Sequence, residues 1–234
     1  FSHLKRAKMC VYCAKFIPYL KRGDFFRNSV KRNRTRLAFT FASFFLFEAV
    51  GFAFGIIYLH FKMNPLASIL YFNAIFCIFF GPSFLLVSLI LLLKTEVILT
   101  RVKQAIILII NLSIFLIILI ISGVLFEGFQ INSNTNWKPQ YTLSFFILMT
   151  IYITVKIIPI LYFSIVIYQK FEFKELRRRW FHFLVGIIGF VVILYGLMVY
   201  LFWSNEFYRL IWSFVSPLVI LFGLLIYQGI GRTI

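Results

Sequence analysis

The chain has 234 residues, of which 62% are hydrophobic, 21% aromatic and only 13% charged. A water-soluble single domain of this length cannot bury so much apolar side chain, so that class is excluded. The 32 phenylalanines exclude intrinsic disorder, whose signature is low hydrophobicity and few aromatics. The net charge of +17 does not indicate nucleic-acid binding, because the basic residues lie between apolar runs rather than on one face of a folded domain. The composition predicts an integral membrane protein.

Six apolar runs are long enough to cross a bilayer as helices, which takes about 20 residues. They run from Leu37 to Phe61, Leu66 to Leu93, Ala105 to Phe126, Thr142 to Tyr168, Phe181 to Trp203 and Leu210 to Gln228. The runs are continuous, whereas the strands of a membrane barrel alternate apolar and polar residues. We therefore predict an all-α fold, a polytopic transmembrane helical bundle of six spans over residues 37–234.

A basic segment, residues 1–36, precedes the first span and contains Cys10 and Cys13. A zinc site requires four ligands and no second cysteine pair is present, so we predict no metal; acylated or unmodified thiols are the alternatives. The chain starts at Phe1 rather than Met, and a further span before it would give the complete protein seven crossings.

The first span contains Glu48 and a pair of glycines, Gly51 and Gly55. Small residues four apart allow two helices to approach closely, and we favour packing within the chain over dimerisation. In the next two spans, Asn73 and Asn111 are polar residues that we expect to form hydrogen bonds between helices. Pro82, which follows Gly81, predicts a bend in the second span.

Lys156 lies in the fourth span, at a depth similar to that of Glu48 in the first. An isolated charge at this depth costs at least about 2.5 to 3.5 kcal/mol, so each side chain should face the bundle interior or a water-filled cavity. We predict that the two form a pair. The alternatives are a protonated Glu48 bonded to a neighbouring helix, and a Lys156 paired with carbonyls freed by Pro159. Pro159 and Pro217 predict kinks in the fourth and sixth spans.

The basic residues also predict the orientation, because Lys and Arg collect on the cytoplasmic side. Eleven precede the first span, three lie in the second connection between spans and five in the fourth, whereas the first, third and fifth connections have one each. Both ends of the chain are therefore expected in the cytoplasm, with the protein in the cell membrane. The cluster over residues 174–179 should attract anionic headgroups of the membrane lipids.

Several short motifs resemble those of a loose group of archaeal seven-span membrane proteins of sensor-like type. They are NWKP at residues 136–139, IPILYFS at 158–164, KELRRRW at 174–180, FYRLIW at 207–212 and YQGIGR at 227–232. The resemblance covers residues 36–234, and the basic first 35 residues stand where that group has its first span. It implies the membrane region of a sensor, and no catalytic residue transfers with it.

These observations predict a sensor-like bundle in which a lipid-soluble or small ligand, or a proton, shifts helix packing near Glu48, Asn73, Asn111 and Lys156. A small-solute or ion transporter and a structural subunit of a membrane complex are the alternatives. No catalytic or nucleotide-binding motif is present, so we predict neither an enzyme nor a cofactor. The residues leave open a protein partner or a homo-oligomer.

Overall fold

A computed structural model describes residues 24–61, 65–93, 100–125, 127–131, 135 and 137–230. Its helices are α1 (Asp24–Ile57), α2 (Leu66–Phe80), α3 (Pro82–Leu93), α4 (Arg101–Ile117), α5 (Leu143–Gln169), α6 (Lys174–Phe202), α7 (Glu206–Val215) and α8 (Leu218–Ile230). A 3-10 turn over Tyr58–His60 extends α1, and a π-helical segment over Ile118–Leu125 extends α4. Two short antiparallel strands, β1 (Phe129–Gln130) and β2 (Gln140–Tyr141), form a hairpin before α5.

Six helical stretches in the described residues are long and apolar enough to cross a membrane, as the sequence predicted. They are Arg36–His60, Leu66–Leu93, Arg101–Gly123, Leu143–Gln169, Lys174–Phe202 and Glu206–Gly229. The third, fifth and sixth begin four to seven residues before their predicted apolar runs. Thr100 caps the start of α4 by accepting a hydrogen bond from the backbone N–H of Lys103, and helical hydrogen bonding continues through charged residues that hydropathy assigns to a loop.

Two of the six stretches are interrupted by proline. The second divides into α2 and α3 at Gly81–Pro82, and the sixth divides into α7 and α8 at Ser216–Pro217. Proline lacks the N–H that would continue the helical ladder, so the predicted bends at Pro82 and Pro217 are confirmed as breaks. Pro159 behaves differently, because α5 continues through it without interruption.

The helices pack as one bundle, with α6 against α8, α1 against α2 and α3, and α5 against α3 and α6. Its interior is filled by large side chains that are almost fully buried, including Phe44, Phe115 and Trp180. The Trp180 ring nitrogen donates to the carbonyl of Ser164 at 2.7 Å, which ties α6 to α5. Outward-facing side chains are mostly apolar as well, and Phe214 is 77% exposed. An apolar outer surface of this extent suits contact with lipid tails.

Glycines permit the closest helix contacts. A Cβ atom added at Gly51 would lie 2.6 Å from Cγ1 of Ile78 and 3.0 Å from its backbone nitrogen, so α1 and α2 touch there. The prediction of packing within the chain is confirmed for Gly51. At Gly55, an added Cβ would have no neighbour within 4 Å among the described residues, so the structure shows no helix contact at this glycine. Gly186 on α6 makes a contact that the sequence analysis missed, because its Cβ would lie 2.8 Å from the backbone nitrogen of Ile226.

The hairpin is anchored on the bundle by two tyrosines. The Tyr71 hydroxyl donates to the Tyr141 hydroxyl at 3.2 Å, and both side chains are buried. Burial raises the pKa of Tyr141, so its hydroxyl keeps its proton. This end of the bundle is held by neutral hydrogen bonds and aromatic packing.

Candidate functional site

The break at Gly81–Pro82 lies at the centre of the candidate site. The N–H of Gly81 donates to the carbonyl of Cys77 at 3.0 Å, and Pro82 has no N–H to donate. Hydrogen bonding resumes where the N–H of Phe84 donates to the carbonyl of Gly81 at 2.9 Å. Carbonyls in the last turn of α2 therefore need partners from outside the helix.

Lys156 supplies one of these partners. Its side chain reaches from α5, is only 3% exposed, and donates from Nζ to the carbonyl of Phe79 at 3.1 Å and to the hydroxyl of Tyr152. A hydrogen-bond donor is favourable here because the carbonyl end of a helix carries partial negative charge. Lys156 thus repairs the hydrogen bonding that the proline interrupts.

Aromatic rings enclose the same amine. Nζ lies 3.8 Å from the ring centroid of Tyr152, 5.6 Å from that of Phe115 and 5.7 Å from that of Phe80. The rings of Phe115 and Tyr152 stack with centroids 4.6 Å apart. Faces of aromatic rings attract a cation, so the amine has both hydrogen-bond acceptors and ring faces around it. Within the described part of the chain, these contacts surround the Lys156 amine and leave no open side from which a ligand could reach it.

Glu48 lies on α1 against the other side of the break. It is 6% exposed, and neither carboxyl oxygen has a hydrogen-bond partner within the described part of the chain. A Cβ atom added at Gly81 would lie 2.5 Å from Oε1 of Glu48, so the carboxyl group rests on the glycine. That peptide offers no donor, since the N–H of Gly81 is already used and Pro82 has none. Cys77 is close enough to interact electrostatically with Glu48.

The predicted pair of Glu48 and Lys156 is therefore wrong: Lys156 donates to Phe79 and Tyr152, while the Glu48 oxygens have no partner among the described residues. The alternative in which Glu48 bonds to a neighbouring helix fails for the same reason. The alternative in which Lys156 pairs with carbonyls freed by Pro159 is wrong as well, because the backbone carbonyl that Lys156 binds is that of Phe79, at the helix break before Pro82. The depth of two residues within their predicted spans does not show whether a broken helix lies between their side chains.

Asn73 and Asn111 do not join a network between helices through their side chains. The amide of Asn73 donates to the carbonyl of Ile69 at 2.8 Å, and that of Asn111 donates to the carbonyl of Ile107 at 3.0 Å. Each bond lies within its own helix, where the carbonyl four residues earlier is the nearest acceptor. Asn111 still approaches the site through its backbone, because the Tyr152 hydroxyl donates to the Asn111 carbonyl at 3.5 Å.

A cavity of about 800 Å³ lies beside Glu48, bounded by α1, α6 and the sixth helical stretch. Its walls are mainly aromatic and aliphatic, and Glu48 and Ser216 are the polar residues among them. The aromatic lining residues are Phe44, Phe45, Phe52, Phe190 and Tyr227. Small-molecule sites of this size are typically apolar with a few polar groups that fix orientation.

The second helix break forms part of the cavity wall through Ser216 and Pro217. The backbone N–H of Val219 donates to the carbonyl of Ser216 at 3.1 Å, and that of Ile220 donates to the carbonyl of Pro217 at 3.1 Å, which starts α8. Both interrupted spans thus contribute to the surroundings of Glu48. The sequence located both prolines but contained no signal that they border one site.

Sequence reasoning also missed Tyr152, although a signal was present. Tyr152 precedes Lys156 by four residues, and side chains at that spacing share a helix face. Phe79 could not be found in this way, because its side chain carries no polar group and its carbonyl becomes available through the helix break.

The predicted thiols Cys10 and Cys13 lie outside the described residues. Within the described residues, no three His, Cys, Asp or Glu side chains cluster in a way that could hold a metal ion.

The basic cluster expected at the lipid headgroups forms the start of α6, over Lys174–Arg179. In this cluster Arg179 pairs with Glu175 at 2.9 Å, and the Arg177 guanidinium lies 4.9 Å from the centroid of the Tyr168 ring.

No protein-family model, curated protein or solved structure matches this chain. The resemblance to archaeal sensor-like membrane proteins therefore stays a prediction, and function must be argued from the site.

Proposed function

We propose that this chain is a multi-pass membrane protein of sensor-like type, whose helical bundle changes its packing when a ligand binds beside Glu48. One observation carries the proposal: Glu48, whose buried carboxyl group has no partner among the described residues, is one of the residues that line a cavity of about 800 Å³. Burying an unpaired polar group is costly, so a change in helix packing that gives the carboxyl group a partner is favoured, and a ligand in the cavity can promote that change.

The response follows from where the cavity lies. Its walls come from α1, which contacts Gly81 through Glu48, and from α8, which begins after the Ser216–Pro217 break. A ligand that fits the cavity better at one separation of α1 and α8 shifts the bundle toward that separation. The break lets α8 move with less change in α7 than one continuous helix would allow.

We also propose that the protein lies in the cell membrane, with both ends of the described chain in the cytoplasm. Arg177, Arg178 and Arg179 would then face anionic lipid headgroups, each contributing about 1 kcal/mol. A change in packing would reach a partner protein through the cytoplasmic connections.

A small-solute or ion transporter is the second candidate, because two interrupted helices border Glu48. Broken helices of this kind form midplane sites in several transporter folds. Proteoliposomes that contain a trapped pH-sensitive dye distinguish the candidates. A proton flux that depends on the protein and is lost in Glu48→Gln favours the transporter, whereas no flux favours the sensor.

The sensor proposal is tested by filling the cavity. Among the described residues, the nearest neighbour of a Cβ atom added at Gly223 would be Cε1 of Phe45 at 4.0 Å, so Gly223→Leu can place a side chain in the cavity without a clash with their backbone. Gly55→Leu is the matched control, since a Cβ atom added at Gly55 has no neighbour within 4 Å in the described part of the chain. We expect hydrogen–deuterium exchange over residues 206–230 to change in Gly223→Leu and to match wild type in Gly55→Leu. Unchanged exchange in both variants would contradict a bundle that responds to occupancy of the cavity.

A further inference from the structure

A second cavity, of about 280 Å³, lies between α1 and α4 and is separate from the one beside Glu48. Its lining residues are Arg36, Phe39 and Thr40 of α1, and Arg101 and Gln104 of α4. Two of these side chains carry a guanidinium group, and none of the described residues that line the cavity is acidic. One water molecule occupies about 30 Å³ in the liquid, so there is room for a small anion with several waters. The charge of the lining favours an anionic ligand.

Both arginines lie where a helix of membrane-spanning length begins. Arg36 is the first residue of the stretch Arg36–His60, and Arg101 is the first residue of Arg101–Gly123. Because both line one cavity, the two stretches begin at the same end of the bundle. In a bilayer that these stretches cross, this is the depth of the polar headgroups.

The cavity has an edge toward lipid and a fixed floor. Phe39 is 71% exposed, so in a membrane its ring would meet the acyl chains next to the headgroups. Thr40 is buried, and its hydroxyl accepts a hydrogen bond from the hydroxyl of Ser88 on α3 at 2.9 Å. The same hydroxyl donates to the carbonyl of Arg36 at 3.0 Å, so its proton is already used. Thr40 therefore supports the cavity, and the charge that a ligand would meet comes from the arginines.

The two guanidinium groups indicate which anion fits. A guanidinium group presents its N–H donors in a planar fork that matches two oxygens of a phosphate, and it keeps its charge at any ordinary pH. A phosphate monoester has three terminal oxygens and can meet two forks at once, whereas a carboxylate presents one pair of oxygens. Arg101 is exposed, so a ligand can reach its side chain from outside the bundle.

We infer that the cavity between α1 and α4 binds a phosphate group. A phospholipid headgroup and a free phosphate ion both supply this group, and the exposed Phe39 beside the cavity favours the lipid. Binding here does not involve Glu48 and is independent of the proposed function. The competing occupant is an internal carboxylate, and the acidic residue nearest to Arg101 in sequence is Glu96, which lies outside the described residues.

Native mass spectrometry of the purified protein in mild detergent tests the site with two lipids. Dioleoyl phosphatidic acid and dioleoylglycerol have the same acyl chains, and only the first has a phosphate. We expect one phosphatidic acid per chain, bound at least about tenfold more tightly than dioleoylglycerol. Arg101→Gln should lose most of this preference, and Arg36→Gln/Arg101→Gln should abolish it. The single variant changes an exposed side chain and is expected to fold even where the double variant does not.

Arg177→Gln/Arg178→Gln is the matched control, because it removes the same two charges from the exposed start of α6, outside the cavity. In detergent these residues meet no charged membrane surface, so the control should keep the preference for phosphatidic acid. Inorganic phosphate at the same concentration identifies the source of the phosphate group. Displacement of phosphatidic acid by inorganic phosphate would uphold the site with a free ion as its ligand, and lack of displacement would uphold it with a lipid headgroup.

Equal binding of the two lipids to wild type, or a preference that is undiminished in Arg101→Gln, would overturn the inference. An equal loss in Arg177→Gln/Arg178→Gln would overturn it too, because binding would then follow the total charge rather than the cavity. A preference that appears only in Glu96→Gln would show that an internal carboxylate occupies the cavity, and this result would also contradict a phosphate site.

Discussion

A buried acidic side chain and a buried basic side chain lie on the two sides of the Gly81–Pro82 break, and they differ in their hydrogen bonding. On one side, Lys156 donates to the Phe79 carbonyl and the Tyr152 hydroxyl and lies among aromatic rings. On the other side, Glu48 rests on Gly81 and has no hydrogen-bond partner in the described part of the chain. Both are less than 10% exposed, so burial alone does not distinguish them.

The difference shows which of the two side chains has a structural role. A buried polar group with complete partners stabilises one arrangement of the helices around it, whereas a buried polar group without partners costs free energy that folding does not recover. Lys156 fits the first description and Glu48 the second. An unsatisfied buried group calls for an explanation such as a bound ion, a water molecule or a catalytic role, and this agrees with the function that we propose near Glu48.

The largest expected effect on stability comes from removing the amine of Lys156. Lys156→Met keeps an unbranched apolar side chain but leaves the Phe79 carbonyl and the Tyr152 hydroxyl without their donor. We expect the free energy of unfolding to fall by about 1 to 3 kcal/mol, the cost of leaving buried polar groups unsatisfied. Reversible unfolding in mixed micelles measures it.

Lys170→Met is the matched control for this change, because Lys170 is exposed just after α5 and the same atoms are replaced. Its free energy of unfolding should stay within about 0.5 kcal/mol of wild type. If Lys156→Met proved as stable as this control, the amine would not hold the broken helix, and the contrast with Glu48 would disappear.

A smaller effect is expected at Tyr152, whose hydroxyl accepts from Lys156 and donates to the Asn111 carbonyl. Tyr152→Phe keeps the ring that faces the amine and removes the hydroxyl. We expect a loss of about 0.5 to 1.5 kcal/mol, the usual net value of a hydrogen bond. Tyr162→Phe provides the comparison on the same helix, since Tyr162 is 62% exposed, and it should change stability little. Equal effects of the two substitutions would argue that the ring rather than the hydroxyl serves Lys156.

Most of the fold could be predicted from the sequence because hydropathy and helix length are local properties. All six predicted spans correspond to helical stretches, and the breaks at Pro82 and Pro217 follow from the missing N–H of proline. Pro159 shows the limit of that rule, since α5 stays helical through it. The helix contact through Gly186 was missed because the identity of the helix facing a glycine is a tertiary property.

The candidate site was predicted in part. Glu48 and Lys156 could be identified as buried from their depth alone, but their partners could not, because a backbone carbonyl such as that of Phe79 leaves no mark in the sequence. Asn73 and Asn111 were expected to bond between helices, and each found an acceptor within its own helix. The cavity beside Glu48 depends on how α1, α6 and α8 are placed relative to each other, which periodicity does not specify.

The smallest expected effect tests whether the two sides of the break act independently. Glu48→Gln is nearly isosteric and removes no hydrogen bond that the structure shows, so we expect its free energy of unfolding to lie within about 0.5 kcal/mol of wild type. Combined with Lys156→Met, it should give additive effects within about 0.3 to 0.5 kcal/mol, because the two side chains share no hydrogen-bond partner in the described residues. A coupling energy above about 1 kcal/mol, measured by the same unfolding in mixed micelles, would restore the ion pair and make Glu48 a structural residue. Additivity would show that this carboxyl group does not stabilise the fold through Lys156.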